Sequence, residues 1–448
     1  MENPAFLLTS PTHDGTLAAA RCLGQLGIPV TMAGDPMELS APARWSKYVT
    51  RWESAPSEHD PGLLVDWMLD FGRRNPGHVL YPTSDDLAWL FAEHASQLSA
   101  VYHLYQPSAA SLLKLLDKGS LKANCDALGI ATPKTLFPQC VSDALLGAEE
   151  LGYPVLLKPR TQVLQRGGGK GHIVRGPAEL ELFYKRVMAF EAHAPLIRER
   201  IPGVHHPMLQ AYREAAAESV YSISGFLTHD GQIVARAARK ILQRPRRVGV
   251  GICFESAPVD PQALTDVRRL CQVNGYYGVF EVEFLRHEGQ LELIDFNPRF
   301  YGQLGFDIGR ELPLPLLVWL AAQRRDVELG DQVARAQAWE RNDALVYCNR
   351  FTFALMLTLQ GMSGRMTAAE VSTWREWLRR SQDDAVAIDA MYSSKDIVPG
   401  LVSAVRELSR AVRHPRDFYR QVIVGGLLPL LWDLESLGLF SSIQSLTS

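Results

Sequence analysis

The sequence predicts an α/β fold: an N-terminal open α/β domain, then an α/β module in two halves, then a mainly helical C-terminal region. Three observations carry that expectation. The first 107 residues alternate short apolar strands with amphipathic helices, the middle of the chain turns to hairpin-connected alternating strands, and the region past residue 325 is mainly of helical period. At 448 residues the chain is about three times the usual domain length, so several cores are expected.

The elements follow in order. Ala5 to Leu8 is an apolar strand, Gly15 to Leu26 has helical spacing, and Ile28 to Met32 returns as a strand, which together make a βαβ unit. A second unit runs from a helix at Pro61 to Arg74 into Val79-Leu80-Tyr81 and then, past Pro82 to Asp86, into a helix through Phe91. The turn after the first strand reads Thr9-Ser10-Pro11-Thr12-His13-Asp14-Gly15, so the G-x-G-x-x-G fingerprint of a dinucleotide site is absent. Ser108 to Gly129 is helical, a short strand lies near Thr135 to Phe137, and Val155 to Lys158 is a strand closed by Pro159.

Gln165 to Gly171 is glycine-dense and leads into His172-Ile173-Val174, an arrangement that suits a hairpin whose amides face phosphate oxygens. Val220 to Leu227 and Gln232 to Ala235 form a hairpin across the turn Thr228 to Gly231, and Pro261 to Val273 is a helix. Val279 to Phe284 alternates apolar and acidic residues, and after a turn at Gly289 the run Leu291 to Asn297 alternates again. Two such strands place Glu283, Asp295 and Asn297 around one small volume, with Glu281 as support, in a pattern suited to Mg²⁺ shared with substrate phosphates. An ordinary hairpin with a wet face shows the same alternation. The glycine run, the strand-borne Lys158 and the Asp295-Phe296-Asn297-Pro298-Arg299 segment are what set this one apart.

Composition narrows the function. Lys and Arg total 46 against 49 Asp and Glu, a formal net charge of -3, which supplies no field toward nucleic acid or an anionic membrane. The six cysteines are scattered without a C-x-x-C pair, so neither a zinc ribbon nor a disulfide scaffold is indicated. Glu2 leads straight into Phe6-Leu7-Leu8 without the basic flank and long apolar stretch of a signal peptide, and a cytoplasmic location is the expectation.

Asp117-Lys118, Tyr153 to Pro159, the Gly167 to Gly171 loop, Glu281 to Phe284 and Leu293 to Phe300 occur in an order that resembles the ATP-grasp enzymes. The similarity covers residues 5 to 325 and is to the carboxylate-amine ligase branch, near the ATP-binding module of carbamoyl-phosphate synthase. The resemblance implies an N-terminal domain at 1–107, ATP-grasp subdomains at 108–207 and 208–325, and a helical region at 326–448. It implies ATP and Mg²⁺, or Mn²⁺, as cofactors. Lys118 and Lys158 then contact the nucleotide, and Gly167, Gly168, Gly169, Lys170 and Gly171 cover its phosphates. Gln210, Ala211 and Tyr212 are the linker that reads adenine, and Glu218 is the ribose contact. Glu283, Asp295 and Asn297 match the metal ligands, with Asp295 where many relatives carry glutamate, while Arg299 and Arg239 steady the transferring phosphate.

The implied chemistry is activation of a small carboxylate as an acyl phosphate, followed by attack of an amine or amino acid. A thiol acceptor, or an ATP-responsive binding protein without catalysis, are the alternatives. A homodimer is the family-level expectation. His205-His206 reads as a loop pair, and His13, Asp14, Ser84, Asp85 and Asp86 sit after strands where they either cap helices or reach a substrate. Leu427 to Phe440 is apolar but interrupted by Pro429, Asp433 and Glu435, which favours a core or partner-contact helix over a membrane span.

Overall fold

The computed structural model describes residues 3–165, 171–189, 193–213, 220–244, 250–340, 345–364, 366–383 and 385–418. Its first sheet consists of β1 (Phe6–Leu8), β2 (Val30–Gly34), β3 (Arg51–Ser54), β4 (His78–Leu80) and β5 (Tyr102–Leu104), in the order β3-β2-β1-β4-β5. All its pairings are parallel, as helix-joined strands require. The chain moves outward in one direction from β1 and in the other from β4, so their C-terminal ends flank a topological switch point. The helix Pro61–Arg74 begins with proline at its first turn and ends on two arginines, both favoured by the backbone groups exposed there.

The stretch read as helical from Ser108 to Gly129 consists of two helices, Ala109–Leu116 and Lys118–Leu128. Asp117 breaks it: its carboxylate accepts from the Ser120 amide at 3.0 Å and caps the second helix. The second sheet follows, with β6 (Thr135–Leu136), β7 (Val155–Lys158), β8 (His172–Val174) and β9 (Met208–Ala211) in the order β6-β9-β7-β8. Helices Val141–Leu151 and Pro177–Ala189 supply Ala144, Ala148, Leu180, Phe183 and Tyr184 to a core of its own with Val155, Leu157 and Leu209.

The third sheet is built from β10 (Val220–Leu227), β11 (Ile233–Arg244), β12 (Val250–Ala257), β13 (Gly278–His287), β14 (Gln290–Asn297), β15 (Val346–Cys348) and β16 (Ala387–Asp389). Its order is β14-β13-β10-β11-β12-β15-β16. One face packs Tyr221, Ile223, Phe280, Val282 and Phe296 against the helices Ala109–Leu116, Lys118–Leu128 and Pro261–Asn274. The other face merges Phe226, Val234, Ala238 and Val279 with the N-terminal sheet and the helix Leu314–Ala322.

Beyond residue 325 the chain is not helical throughout. The helices Asp326–Gln337, Arg350–Met362, Ala368–Arg380 and Val398–Arg413 are present, and β15 and β16 extend the third sheet. β15 pairs antiparallel with β12 and parallel with β16, so the C-terminal region completes a layer that begins at Val220. Among the described residues no helix is long and apolar enough to cross a membrane. Leu427 to Phe440 lies outside the described residues.

Candidate active site

The register of β13 and β14 puts Glu281 opposite Asn297 and Glu283 opposite Asp295. Residues two apart on a strand share a face, so all four project to the same side. On β10, Ser224 is level with Glu281 and Ser222 with Glu283, which widens that face by one strand. Ser222 is 1% exposed and its Oγ has no hydrogen-bond partner among the described residues. A buried hydroxyl of this kind is costly unless something completes it.

The acids are held by bases from three directions. Lys240 of β11, itself buried, is ion-paired with Glu283. Lys118, at the first turn of its helix, reaches Asp295 Oδ1 at 2.5 Å. Its own backbone N–H donates to the Arg160 carbonyl at 2.9 Å, and Arg160 pairs with the cap residue Asp117 at 2.8 Å, so the exit of β7 and the helix start are clamped together. Lys158 ends β7 on the facing sheet. Burial, and then the neighbouring Lys118 charge, push its ammonium down to about 7, with Asp295 and Glu283 opposing the shift.

Asn297 is oriented from both sides: its amide donates to Glu281 Oε2 at 2.6 Å, and its Oδ1 accepts from Arg299 at 2.9 Å. Gln303 donates to the other Glu281 oxygen at 2.8 Å. Burial and the adjacent Glu283 raise the Glu281 carboxyl to about 8. Arg299 forks onto Asp85 at 2.8 Å, the first residue of the helix that follows β4, which ties the site to the switch point of the N-terminal sheet. Around that switch point Glu58 accepts from Ser10 and Ser84 at 3.2 and 2.9 Å, and Ser84 also caps its helix by accepting from Leu87.

Lys118, Lys158, Glu283, Asp295, Asn297 and Arg299 therefore come together between the second and third sheets. Arg239 does not join them. β11 alternates, so Arg239 leaves the opposite face and pairs with Glu255 at 2.8 Å, a carboxylate that also accepts from Trp377. Lys240, which the sequence reading passed over, takes the place on the acidic face. Gln210 and Ala211 belong to β9, paired with both β6 and β7, so they form a sheet strand where a linker was expected, and Tyr212 follows directly. Gln210 donates to Thr135 Oγ1 at 3.0 Å and lines a small cavity with Lys118, Lys122, Thr132 and Ile294. Gly171 has φ +146, and a Cβ there would stand 3.0 Å from Lys158 Cβ. Gly167, Gly168, Gly169, Lys170 and Glu218 lie outside the described residues, as do Arg246 and Arg247.

The donor set fits a hard divalent cation shared with a polyphosphate. Among the described residues no three His, Cys, Asp or Glu side chains gather as a closed metal cage. Two facing carboxylates and an amide, with Ser222 beside them, are what Mg²⁺ takes when phosphates and water complete its shell.

Comparison with known folds agrees with this layout. The biotin carboxylase domain of a 2-oxoglutarate carboxylase from Hydrogenobacter thermophilus superposes with a TM-score of 0.56 at 19% identity, over 72% of this chain and 70% of that one. The N5-carboxyaminoimidazole synthetase of Staphylococcus aureus does so with 0.56 at 16% identity, over 80% and 85%. The chain has the ATP-grasp fold. Sequence relatives of this ATP-grasp chain point the same way. It is 29% identical over 210 residues to the carbamoyl phosphate synthase large chain of Thermus thermophilus, a match covering 45% of this chain and 18% of that protein. It is 25% identical over 283 residues to the N5-carboxyaminoimidazole ribonucleotide synthase of Pseudomonas aeruginosa, covering 62% and 71%. The ATP-grasp chain thus matches about a fifth of the length of the carbamoyl phosphate synthase. No protein-family profile matches it.

Proposed function

We propose that the protein is an ATP-dependent ligase that joins a small carboxylate to an amine through an acyl phosphate, using ATP and Mg²⁺. The observation that carries this reading is the facing of Lys118 and Lys158 onto Glu283, Asp295 and Asn297 across two sheets. Glu283, Asp295 and Asn297 hold the metal, which neutralises phosphate charge during transfer. Lys118, Lys158 and the Gly167 to Gly171 segment hold the phosphates. Arg299, fixed by Asp85 and Asn297, presents its guanidinium to the transferring group.

A substrate carboxylate oxygen attacks the γ-phosphorus as the bond to the bridging oxygen breaks, and ADP leaves. The amine then attacks the acyl carbon, the carbon–oxygen bond to phosphate breaks, and the amine gives up a proton. Gln210, Ala211 and Tyr212, at the end of β9, are the residues assigned to the base.

A second reading takes bicarbonate as the acid that is activated. It is favoured by the fold likeness to a biotin carboxylase domain described in complex with MgADP and bicarbonate.

One experiment separates these readings. Purified protein is given ATP, Mg²⁺ and matched carboxylates and amines, with labelled bicarbonate in a parallel series, and ADP and product mass are followed. Product-dependent ADP release that falls at least about 100-fold in Glu283→Gln and Asn297→Ala is expected. ADP release tied to label from bicarbonate selects the second reading, and ATP binding without any phosphoryl transfer rejects both.

A further inference from the structure

The pairing of β12 with β15 brings two thiols face to face. The strands run antiparallel, with Cys253 opposite Cys348, Phe254 opposite Tyr347 and Glu255 opposite Val346. Continuing that register, the Ser256 amide donates to the Leu345 carbonyl at 2.9 Å, which makes Ser256 and Leu345 a hydrogen-bonded pair. Hydrogen-bonded and non-hydrogen-bonded pairs alternate along an antiparallel ladder. Cys253 and Cys348 lie an odd number of steps away, so they are a non-hydrogen-bonded pair. In such a pair the Cα atoms stand about 4.5 Å apart and the side chains are at their closest. A disulfide spans Cα separations of about 4.4–6.8 Å.

Both cysteines are thiols, 0 and 1% exposed. They share a core with Val346, Phe353, Met356, Trp377 and Phe418. Phe254, next in the chain to Cys253, is opposite Lys240 and belongs to the core shared with the N-terminal sheet. The two thiols are therefore on the back of the third sheet, away from Lys240 and the acidic face. The layer over them holds a cavity lined by Leu242, Phe353, Met356, Gln360 and Trp374.

We propose that Cys253 and Cys348 are a modification site, closing reversibly to a disulfide that staples the C-terminal region to the third sheet, with hydrogen peroxide as the class of oxidant. One thiolate sulfur attacks a peroxide oxygen, the O–O bond breaks, and the departing hydroxide takes up the thiol's proton and leaves as water. The sulfur is then a sulfenic acid. The second sulfur displaces its hydroxyl, which leaves as water with the second thiol's proton, and the S–S bond forms. The two thiols give up two electrons, and the peroxide is reduced to water.

Burial, and next the hydrogen bond with the Cys348 thiol, push the Cys253 thiol well up. The closed structure thus withholds the thiolate, and reaction waits on opening of the helices Arg350–Met362 and Ala368–Arg380 that cover the pair. Once formed, the bridge closes the chain between residues 253 and 348 into a loop and holds β15, and through it β16, to β12.

The full chain is incubated with hydrogen peroxide, digested without reduction and mapped by mass, with the exposed Cys140 as internal standard of reaction. The expected product is a pair of peptides linked through Cys253 and Cys348, two hydrogens lighter than its parts and separated by dithiothreitol. In the linked protein the amides of β15 and β16 should exchange at least about tenfold more slowly than in the reduced protein, with β6 to β9 unchanged. Cys348→Ala should abolish both effects, and Cys253→Ala does the same and serves if the first variant does not fold. Both thiols still reduced when Cys140 has been oxidised to completion overturn the proposal. So do a bridge that forms only in urea, either sulfur carried on to the sulfinic acid without a bridge, and a bridge that leaves exchange in β15 and β16 unchanged. None of these readouts depends on ligase activity.

Discussion

Arg239 and Lys240 are adjacent, yet one pairs with Glu255 on the helix-covered face of the third sheet and the other with Glu283 on the acidic face. Arg239→Ala is therefore expected to leave ADP release within about twofold of wild type, whereas Lys240→Met lowers kcat at least about tenfold. Steady-state kinetics on the two variants check this, and equal losses would show that strand parity is not what matters. Asp86 allows a prediction with a defined sign. Burial pushes its carboxyl from 3.8 up to about 7, against the Leu164 amide that donates to it at 2.6 Å. Between about pH 4 and 7 the native state keeps this proton and the unfolded chain releases it, so stability falls as pH rises through that window. Asp86→Asn lacks the proton. Urea unfolding should show the variant gaining on wild type between pH 4.5 and 8, and a constant difference would remove burial as the cause.

At the scale of elements, the helix Asp14–Gln25 meets the turn after β14 with no room to spare: a Cβ on Gly15 would lie 2.3 Å from the Tyr301 carbonyl oxygen. Gly15→Ala should cost about 1–3 kcal/mol in chemical denaturation, because backbone cannot yield as a flexible side chain does. Elements with strong local signals were legible in the sequence. Pro61–Arg74 matches its expected bounds, and the β13–β14 hairpin is announced by alternation on both sides of Gly289. What escaped is short or depends on distant partners. β15 and β16 are three residues each, too brief for a period to register, and they exist because the edge of β12 accepts them. The face of β11 that bears Lys240 is set by its pairing with β10, which puts Val220 opposite Lys240 and which nothing local dictates. The fork of Arg299 on Asp85 spans 214 positions and needs the whole fold to exist.

For the whole molecule, the C-terminal region is fastened back onto the N-terminal domain. Arg21 donates to Asp396 at 2.9 Å and to the Met391 carbonyl at 2.8 Å, and Asp396 also accepts from Ser46 at 2.7 Å and from the Lys47 amide at 3.0 Å. Its side chain is 2% exposed, so Asp396→Ala strands a buried guanidinium and should cost about 3–5 kcal/mol in urea unfolding. The paired change Arg21→Met/Asp396→Leu should recover part of that loss. One core unites the N-terminal sheet, a face of the third sheet and residues Leu345, Tyr347, Ala390 and Met391. The four-stranded sheet of β6 to β9 has a separate core, and Lys158 rides on it. Relative displacement is therefore cheapest along that seam: the carboxylates of β13 and β14 belong to the stationary frame, and opening or closing of the cleft amounts to a hinge that carries Lys158 toward or away from them.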